Sequence, residues 1–313
     1  MINVQNFTHL LRHLGFAEIK KDFFSKQIKQ ANEVAFELSV DCNTQQINYP
    51  ESAGLKVHQR QTCNFSASEN AVVFECVHRL LSKGYKPEHI ELEPEWKLGH
   101  GGKSGRADIL VRNQQGTALL IIECKTAGRE FLKAWENTQE DGAQLFSYVE
   151  QEKATQFICL YASAFDDKDS FTLKTSQRII SVKDNAKILE DMPNAASFGA
   201  ATNVTERFKA WKDTYKQEYT ETGIFEENIQ AYQIGKNKYT LMHDTRPLES
   251  KDIKGKYHDF RTILRKHNVS RRENAFEVLV NLFVCKIVDE LENPNDLKFY
   301  WKGIAYDNYY DLV

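Results

Sequence analysis

Three ionisable residues near the middle of the chain stand beside apolar runs where a buried strand has no structural need for charge. Asp108 precedes the run 109–111, and Glu123 and Lys125 close the run 118–122. Two carboxylates brought together would repel and raise one pKa, whereas a hard cation such as Mg²⁺ removes that penalty and activates a water. The residue types therefore predict metal-assisted hydrolysis.

The two runs are expected to form a β-hairpin that brings these charges together. Residues 113–116 read Asn-Gln-Gln-Gly, which is typical of a turn. With the turn centred between residues 114 and 115, Asp108 lies opposite a position near Ile121. Because side chains alternate along a strand, Ile121, Glu123 and Lys125 share one face. Asp108 and Glu123 are then diagonal neighbours, about 7–8 Å apart at the backbone, which lets both reach one cation.

A helix after the hairpin is predicted to add two polar side chains. Gln144 and Tyr148 are four residues apart in the segment Gln-Leu-Phe-Ser-Tyr, so a helix turns both the same way, towards the site.

The Asp, Glu-x-Lys pattern on successive strands resembles the PD-(D/E)xK nuclease superfamily. The Gln-xxx-Tyr pattern resembles that of the nuclease domain in the restriction subunit of type I enzymes and in related fused (type IIG-like) restriction-modification proteins. The resemblance implies an α/β, restriction-endonuclease-like fold, in which a mixed sheet is flanked by helices.

The resemblance also implies a role for each site residue. Asp108, Glu123 and the carbonyl of Cys124 would hold Mg²⁺, or Mn²⁺ in its place because of its similar chemistry. Lys125 would position or help to deprotonate the attacking water and stabilise charge on the scissile phosphate. Gln144 and Tyr148 would orient Lys125 or the phosphate.

Residues 66–83 form a predicted helix with an apolar face, and Gly84 would cap its end. The resembled nuclease domains carry an acidic residue on their first helix that can join the metal site, and Glu69 occupies that place. The alternative is a capping box, in which Glu69 satisfies the amide of Ser66. The sequence leaves both roles open.

A glycine-rich loop, residues 99–105, precedes Asp108. A phosphate-binding Walker loop is excluded because Lys97 stands where that motif needs a glycine. We expect instead a weakly basic loop, in which Lys103 and Arg106 contact the DNA backbone.

The pattern divides the chain into four parts. We expect an amino-terminal extension (1–64), a nuclease domain (65–183), a helical connector (184–252) and a C-terminal α-helical region (253–313). In the extension, Gly15 ends a helix, and residues 34–40 and 46–49 read as strands. In the nuclease domain, 126–142 is polar and poorly periodic, while 156–163 and 171–182 read as strands. In the connector, one helical face carries Phe208, Trp211, Tyr215 and Tyr219.

The last part contains a long predicted helix, residues 273–293, opened by a capping box of Ser270 and Glu273. Its expected buried face carries Phe276, Val280, Phe283, Val284, Ile287 and Leu291. The region resembles the helical segment before the catalytic domain of DNA adenine methyltransferases. The chain lacks their glycine-rich loop and their Asn/Asp-Pro-Pro-aromatic motif, so S-adenosylmethionine would bind only in a C-terminal part outside it. We expect an amino-terminal fragment, followed by methyltransferase and recognition domains.

Composition describes an ordinary globular protein of 313 residues with a net charge of −3, from which no partner follows. Six scattered cysteines indicate free thiols in a reducing compartment. The sequence contains neither a signal-peptide pattern nor an apolar run of about 20 residues, and we expect a cytoplasmic protein with no membrane partner. DNA and other restriction-modification subunits are the expected partners.

Two alternative functions would retain these residues but involve no catalysis. One is a catalytically silent DNA-binding or assembly module with a nuclease-like fold, and the other is a scaffold whose carboxylates are surface charges. Metal binding distinguishes the nuclease from the scaffold, and metal-dependent cleavage distinguishes it from the silent module.

Overall fold

The computed structural model describes residues 2–30, 35–96, 105–166, 172–192, 194–226, 229–234, 258, 272–294, 297 and 299. The chain forms two compact units, Met1–Ile234 and Gly235–Val313. Among the described helices, none combines the length and apolar character needed to cross a membrane.

The first unit begins with a small antiparallel sheet. Helix α1 (Phe7–His13) is followed by β1 (Ala17–Lys20), β2 (Phe23–Lys29), β3 (Ala35–Asp41) and β4 (Gln46–Asn48), which pair in chain order. The expected helix, its end near Gly15 and the strands β3 and β4 are confirmed. Strands β1 and β2 were not predicted, because β1 is exposed throughout and β2 buries only Phe24, Ser25 and Ile28.

The centre of the unit is a six-stranded mixed sheet. Its strands are β5 (Lys56–Val57), β6 (Ile90–Leu92), β9 (Ile109–Arg112), β10 (Ala118–Cys124), β11 (Phe157–Phe165) and β12 (Leu173–Ser181), while β7 (Glu95–Trp96) and β8 (Gly105–Arg106) form a separate ribbon. The order is β12-β11-β10-β9-β6-β5, with β10/β11 and β5/β6 parallel and the other pairs antiparallel. Short 3₁₀ helices cover Val4–Asn6, Glu51–Ala53, Gln61–Cys63 and Pro87–His89.

The sheet separates two apolar cores because alternate residues of β10 and β11 face opposite ways. Ile122 and Cys159 face the core under helix α2 (Ser68–Lys83), whereas Ile121 and Leu160 face the core under α3 (Arg129–Asp141) and α4 (Ala143–Gln151). All seven residues of β10 are buried. The expected mixed α/β sheet flanked by helices is therefore present.

Helix α2 starts two residues later than predicted, and the capping box is not formed. Ala67 is the N-cap residue, and its methyl side chain has no acceptor for a cap bond; the Ser66 hydroxyl donates to Asn64 Oδ1 at 2.5 Å instead. Gly84 ends the helix with a φ of 108°, as expected of a glycine cap.

Helix α3 lies within residues 126–142, for which the polar and poorly periodic sequence predicted no helix. Phe131, Trp135 and Thr138 recur at helical spacing and are buried, although polar residues surround them. Gly142, with a φ of 79°, ends α3 and begins α4, which carries Gln144 and Tyr148 as predicted.

Residues after the sheet pack against the core under α3 and α4. Helices α5 (Ala186–Asp191) and α6 (Val204–Lys209) are followed by a π-helix, Ala210–Thr214. Phe208, Trp211 and Tyr215 are buried in that core, and Tyr219 is 37% exposed. The aromatic face predicted for the connector is thus a packing surface.

The second unit contributes helix α7 (Arg272–Glu292), close to its predicted bounds. The buried face expected for it is not found among the described side chains: Val280, Val284, Ile287 and Leu291 are exposed, and Phe283 is half-buried. Helical periodicity identifies an apolar face but not a partner that covers it. Ser270, the burial of Phe276 and residues 253–257 lie outside the described part.

Candidate active site

The hairpin β9–β10 places the two predicted carboxylates level with each other. Leu110 pairs with Ile121 and Ile109 with Ile122, so the register continues to Asp108 beside Glu123. The predicted diagonal arrangement is wrong by two residues: the turn is centred on Gln115, which moves the pairing by one residue, and the register shift between Ala118 and Leu120 moves it by one more. A turn does form at the predicted residues, with the Asn113 side-chain oxygen accepting hydrogen bonds from two backbone amides and Gly116 at a φ of 78°.

A third carboxylate joins them from the start of α2. Glu69, Asp108 and Glu123 each offer one oxygen, and these three oxygens lie within 4.8 Å of one another. Glu123 is only 4% exposed, while Glu69 and Asp108 are partly exposed. Glu69 therefore lies in the cluster of carboxylates and does not form the alternative capping box with Ser66.

Two backbone bonds fix the hairpin side of the cluster. The amide of Cys124 donates to Asp108 Oδ2 at 2.7 Å, and the amide of Lys125 donates to the carbonyl of Tyr161 at 2.8 Å. Lys125 therefore lies just past β10 while still tied to β11. Its Nζ donates to Glu123 Oε1 at 2.7 Å and to Glu69 Oε1 at 3.2 Å.

Helix α4 reaches the same cluster through its two predicted polar residues. The hydroxyl of Tyr148 lies 2.8 Å from Glu123 Oε2 and 2.7 Å from the carbonyl of Arg106, and it shares its proton between these acceptors. The Gln144 carboxamide donates to the Tyr148 oxygen. The four-residue spacing thus brings Gln144 and Tyr148 together at the Glu123 carboxylate.

The electrostatics of the site follow from burial and crowding. Burial raises the pKa of Asp108 well above its usual value, and the Glu123 charge raises it further. Burial raises the pKa of Glu123, against the opposing effect of Lys125. Burial lowers the pKa of Lys125, but the Glu123 and Glu69 carboxylates outweigh it, so the net shift is upward. Burial and then the Glu123 charge raise the pKa of Tyr148, which stays a neutral donor.

The donor set fits a hard divalent cation. Three carboxylates against one ammonium leave a net charge of −2 when all are ionised, and carboxylate oxygens are the ligands that Mg²⁺ and Mn²⁺ prefer. Asp108, Glu123 and Glu69 are the side chains that would hold it. Cys124 buries its side chain on the opposite face of the strand, so only its backbone carbonyl would be available as a ligand.

The predicted DNA contacts have different outcomes. Lys103 lies outside the described residues, as does the rest of the glycine-rich loop up to residue 104. Arg106 is described: its Nη2 donates to Gln61 Oε1 at 2.6 Å, and its Nη1 lies 3.9 Å from Glu93 Oε1. Its guanidinium is thus already engaged, and its carbonyl serves Tyr148.

Two residues that the sequence did not point to support the site. Trp96 packs on the Tyr148 ring with centroids 5.8 Å apart, although a single aromatic residue in a broken strand gives no signal of this contact. Glu93, 1% exposed, has a φ of 51°, and its amide donates to the carbonyl of Asp108 at 3.0 Å. This bond fixes the backbone just before β9.

Fold and site together define a mixed α/β domain that carries a cluster of three carboxylates and one lysine at the end of its sheet hairpin. Residues 68–164 match the model of a family described as the type I restriction enzyme R protein N terminus (HSDR_N). The match covers just under a third of the chain and runs from α2 to β11, so it includes every residue of the cluster. It supports a type I restriction-subunit region there. A search of the curated proteins found no match.

Proposed function

We propose that residues 68–164 and the elements packed on them form a metal-dependent DNA endonuclease of the PD-(D/E)xK type, acting in restriction-modification. The observation that carries the proposal is the convergence of Glu69, Asp108 and Glu123 within 4.8 Å, with Lys125 bonded to two of them. The family match adds the restriction context.

Each residue has a role that follows from its contacts. Asp108, Glu123 and Glu69 would hold Mg²⁺ or Mn²⁺, together with the Cys124 carbonyl. A bound cation of this kind lowers the pKa of its water and offsets charge on the phosphate. The Lys125 ammonium would hold the attacking water or the scissile phosphate, because it already lies at 2.7 Å from a proposed metal ligand. Tyr148 and Gln144 would fix the orientation of Glu123.

Specificity for a DNA sequence would come from elsewhere. Contacts to base edges in the grooves specify sequence, whereas backbone contacts only position the protein. The described residues around the cluster are carboxylates, a lysine, a tyrosine and a glutamine that face one another. DNA and the other subunits of a restriction-modification system are therefore the proposed partners, and S-adenosylmethionine would act only in another part of that system.

Cleavage of supercoiled plasmid in Mg²⁺ or Mn²⁺ tests the function. Wild type should nick and linearise the plasmid, and Asp108→Ala and Lys125→Ala should lose this activity while staying folded. Asp213→Ala and Lys209→Ala are matched controls, because both residues are exposed on the α6 and π-helix segment.

Calorimetric titration with Mn²⁺ separates the alternatives. If both Asp108→Ala and Lys125→Ala still cleaved the plasmid, the proposed nuclease site would be wrong. Metal binding without cleavage by wild type, alone and with the remaining subunits supplied, would favour the silent DNA-binding module. Absence of metal binding would favour the scaffold.

A further inference from the structure

An open cleft of about 230 Å³ leads away from the carboxylate cluster along one face of α3. The α3 residues that line it recur at positions i, i+3, i+4, i+7 and i+8, which share one side of a helix: Glu130, Lys133, Ala134, Asn137 and Thr138. Three residues of the candidate active site also line it: Glu123, Lys125 and Gln144. The cleft therefore continues the candidate active site rather than forming a separate pocket.

Charge in this cleft is poorly matched to DNA unless a further cation takes part. With all three carboxylates ionised, the cluster and Lys125 carry a net charge of −2, so one divalent cation brings the charge to zero, and each backbone phosphate of DNA then adds a negative charge. The Lys125 ammonium is already shared between Glu123 and Glu69. A phosphate that enters the cleft needs a second positive charge within it.

Lys133 supplies that charge. It is exposed and is the other cationic residue among those lining the cleft. Within the described ranges it forms no ion pair, and the Glu130 carboxylate on the same helix face lies beyond ion-pair distance from it. Asn137, one turn further along, offers an amide donor, whereas the Thr138 hydroxyl is occupied by the carbonyl of Ala134 at 2.8 Å.

We propose that Lys133, assisted by Asn137, binds a backbone phosphate next to the one that is cut, so that α3 forms a wall of the DNA-strand channel. The inference rests on the proposed nuclease function and extends it to the path of the substrate. Glu130 opposes the phosphate from the same face and weakens its binding.

Binding of a fluorescent DNA duplex, followed by anisotropy in Ca²⁺, tests the inference without cleavage as the readout. Ca²⁺ has the same charge as Mg²⁺ and also takes oxygen ligands. Each neutralised phosphate contributes about 0.9 to the slope of log affinity against log salt. Between 50 and 200 mM salt, the slope for Lys133→Gln should be shallower by about 0.9. At the lowest salt its affinity should fall by about three- to tenfold.

Further variants make the expectation specific. Lys133→Arg should keep the wild-type slope, Asn137→Ala should bind more weakly with the slope unchanged, and Glu130→Gln should bind more tightly. Lys209→Gln, an exposed helical lysine outside the cleft, is the matched control and should behave as wild type.

Two outcomes contradict the inference in distinguishable ways. A wild-type slope for Lys133→Gln, in a protein that binds and cleaves DNA, would overturn the role of α3 and leave the nuclease function standing. A wild-type protein that neither binds nor cleaves DNA, with its partner subunits supplied, would overturn both.

Discussion

Both oxygens of the Glu123 carboxylate have a hydrogen-bond donor, and these two donors fix its orientation. Lys125 donates to Oε1 at 2.7 Å and Tyr148 lies 2.8 Å from Oε2. Partners of this kind orient metal ligands, and their loss typically costs about 10- to 100-fold in metal affinity or activity.

Tyr148→Phe should therefore reduce Mn²⁺ affinity, measured by calorimetric titration, by about tenfold or more, with a parallel loss of plasmid cleavage. The ring is 1% exposed and packs on Trp96, and both features are kept in the variant, so the fold should remain. The loss comes from a Glu123 carboxylate that has lost one of its two donors.

Tyr161→Phe is the matched control. That hydroxyl donates to Glu75 Oε2 at 2.6 Å, and Glu75 is fully buried and paired with Arg79. Its removal should destabilise the fold but leave Mn²⁺ affinity unchanged. Equal effects of the two substitutions on metal binding would show that Tyr148 has no special relation to Glu123.

At the scale of residues, most of the site could be predicted from the sequence, because the spacings that bring its side chains together relate residues close to one another in the chain. Strand alternation puts Glu123 and Lys125 on one face, and helical spacing aligns Gln144 with Tyr148. The position of Glu69 could not be decided in the same way. Its contact with Lys125 joins residues 56 positions apart, whereas the competing capping box was a local pattern.

At the scale of elements, α2 carries Glu69 at one end and contacts the small sheet through His78. Lys26 Nζ from β2 lies 2.8 Å from His78 Nε2 and also donates to the carbonyl of Leu14 at 2.6 Å. Burial, followed by the charges of Lys26 and Arg79, lowers the pKa of His78 from 6.5 to about 3. Ser82 Oγ, at 3.4 Å, and the Phe16 ring complete its surroundings.

His78 should make the fold less stable in mild acid. The unfolded chain takes up a proton below pH 6.5, whereas the folded chain does so only near pH 3. The contribution of neutral, buried His78 to the free energy of unfolding is fully present above pH 6.5. It is lost as the pH falls below that value, at about 1.4 kcal/mol per pH unit. Urea unfolding at pH 7.5 and 5.0 should show about 2 kcal/mol less acid destabilisation for His78→Gln than for wild type. His13→Gln is the control, because His13 is exposed, and its acid destabilisation should equal that of wild type. If His78→Gln lost as much stability in acid as wild type, the contribution assigned to His78 would be refuted.

The junction of α3 and α4 depends on one glycine. Gly142 has a φ of 79°, and an added Cβ would lie 3.0 Å from a Phe208 ring carbon and 3.1 Å from one of Phe146. Gly142→Ala should reduce the free energy of unfolding in urea by about 2–4 kcal/mol, the sum of a left-handed backbone and overpacking.

Gly116→Ala separates these two costs. Gly116 has a φ of 78°, but nothing lies within 4 Å of an added Cβ. Its loss should be about 1 kcal/mol. Equal losses at both glycines would mean that contact with Phe146 and Phe208 is unimportant.

Elements with a continuous apolar signal were predictable, and those held mainly by distant contacts were not. The seven buried residues of β10 identify that strand on their own. Helix α3 has three buried side chains with polar residues between them, so the sequence shows no clear apolar face. The buried face is recognised from its packing against Trp211 and the sheet. The register of the hairpin was wrong because neither the exact centre of the turn nor a bulge leaves a mark in the order of apolar residues.

At the scale of the whole molecule, residues 184–234 are part of the first unit and not a detachable linker. They bury Phe198, Phe208, Trp211, Tyr215 and Ile224. Arg207, itself 5% exposed, pairs with Glu150 of α4 at 3.0 Å, and Gln217 donates to the carbonyl of Gln139 at 2.7 Å. Four of the five apolar side chains complete the core under α3 and α4, and Ile224 lies in the core under α2.

A fragment of residues 1–234 should fold cooperatively, whereas residues 1–183 should not. Five large side chains at about 1.5–3 kcal/mol each contribute roughly 7–15 kcal/mol. That is the size of the total stability of an ordinary domain, about 5–15 kcal/mol. Circular dichroism during heating should show one sharp transition for 1–234 and a broad or absent one for 1–183, with aggregation from the exposed Phe146 and Trp135 surface. A sharp transition for 1–183 at the same temperature would mean that α3 and α4 hold the site without the residues that cover them.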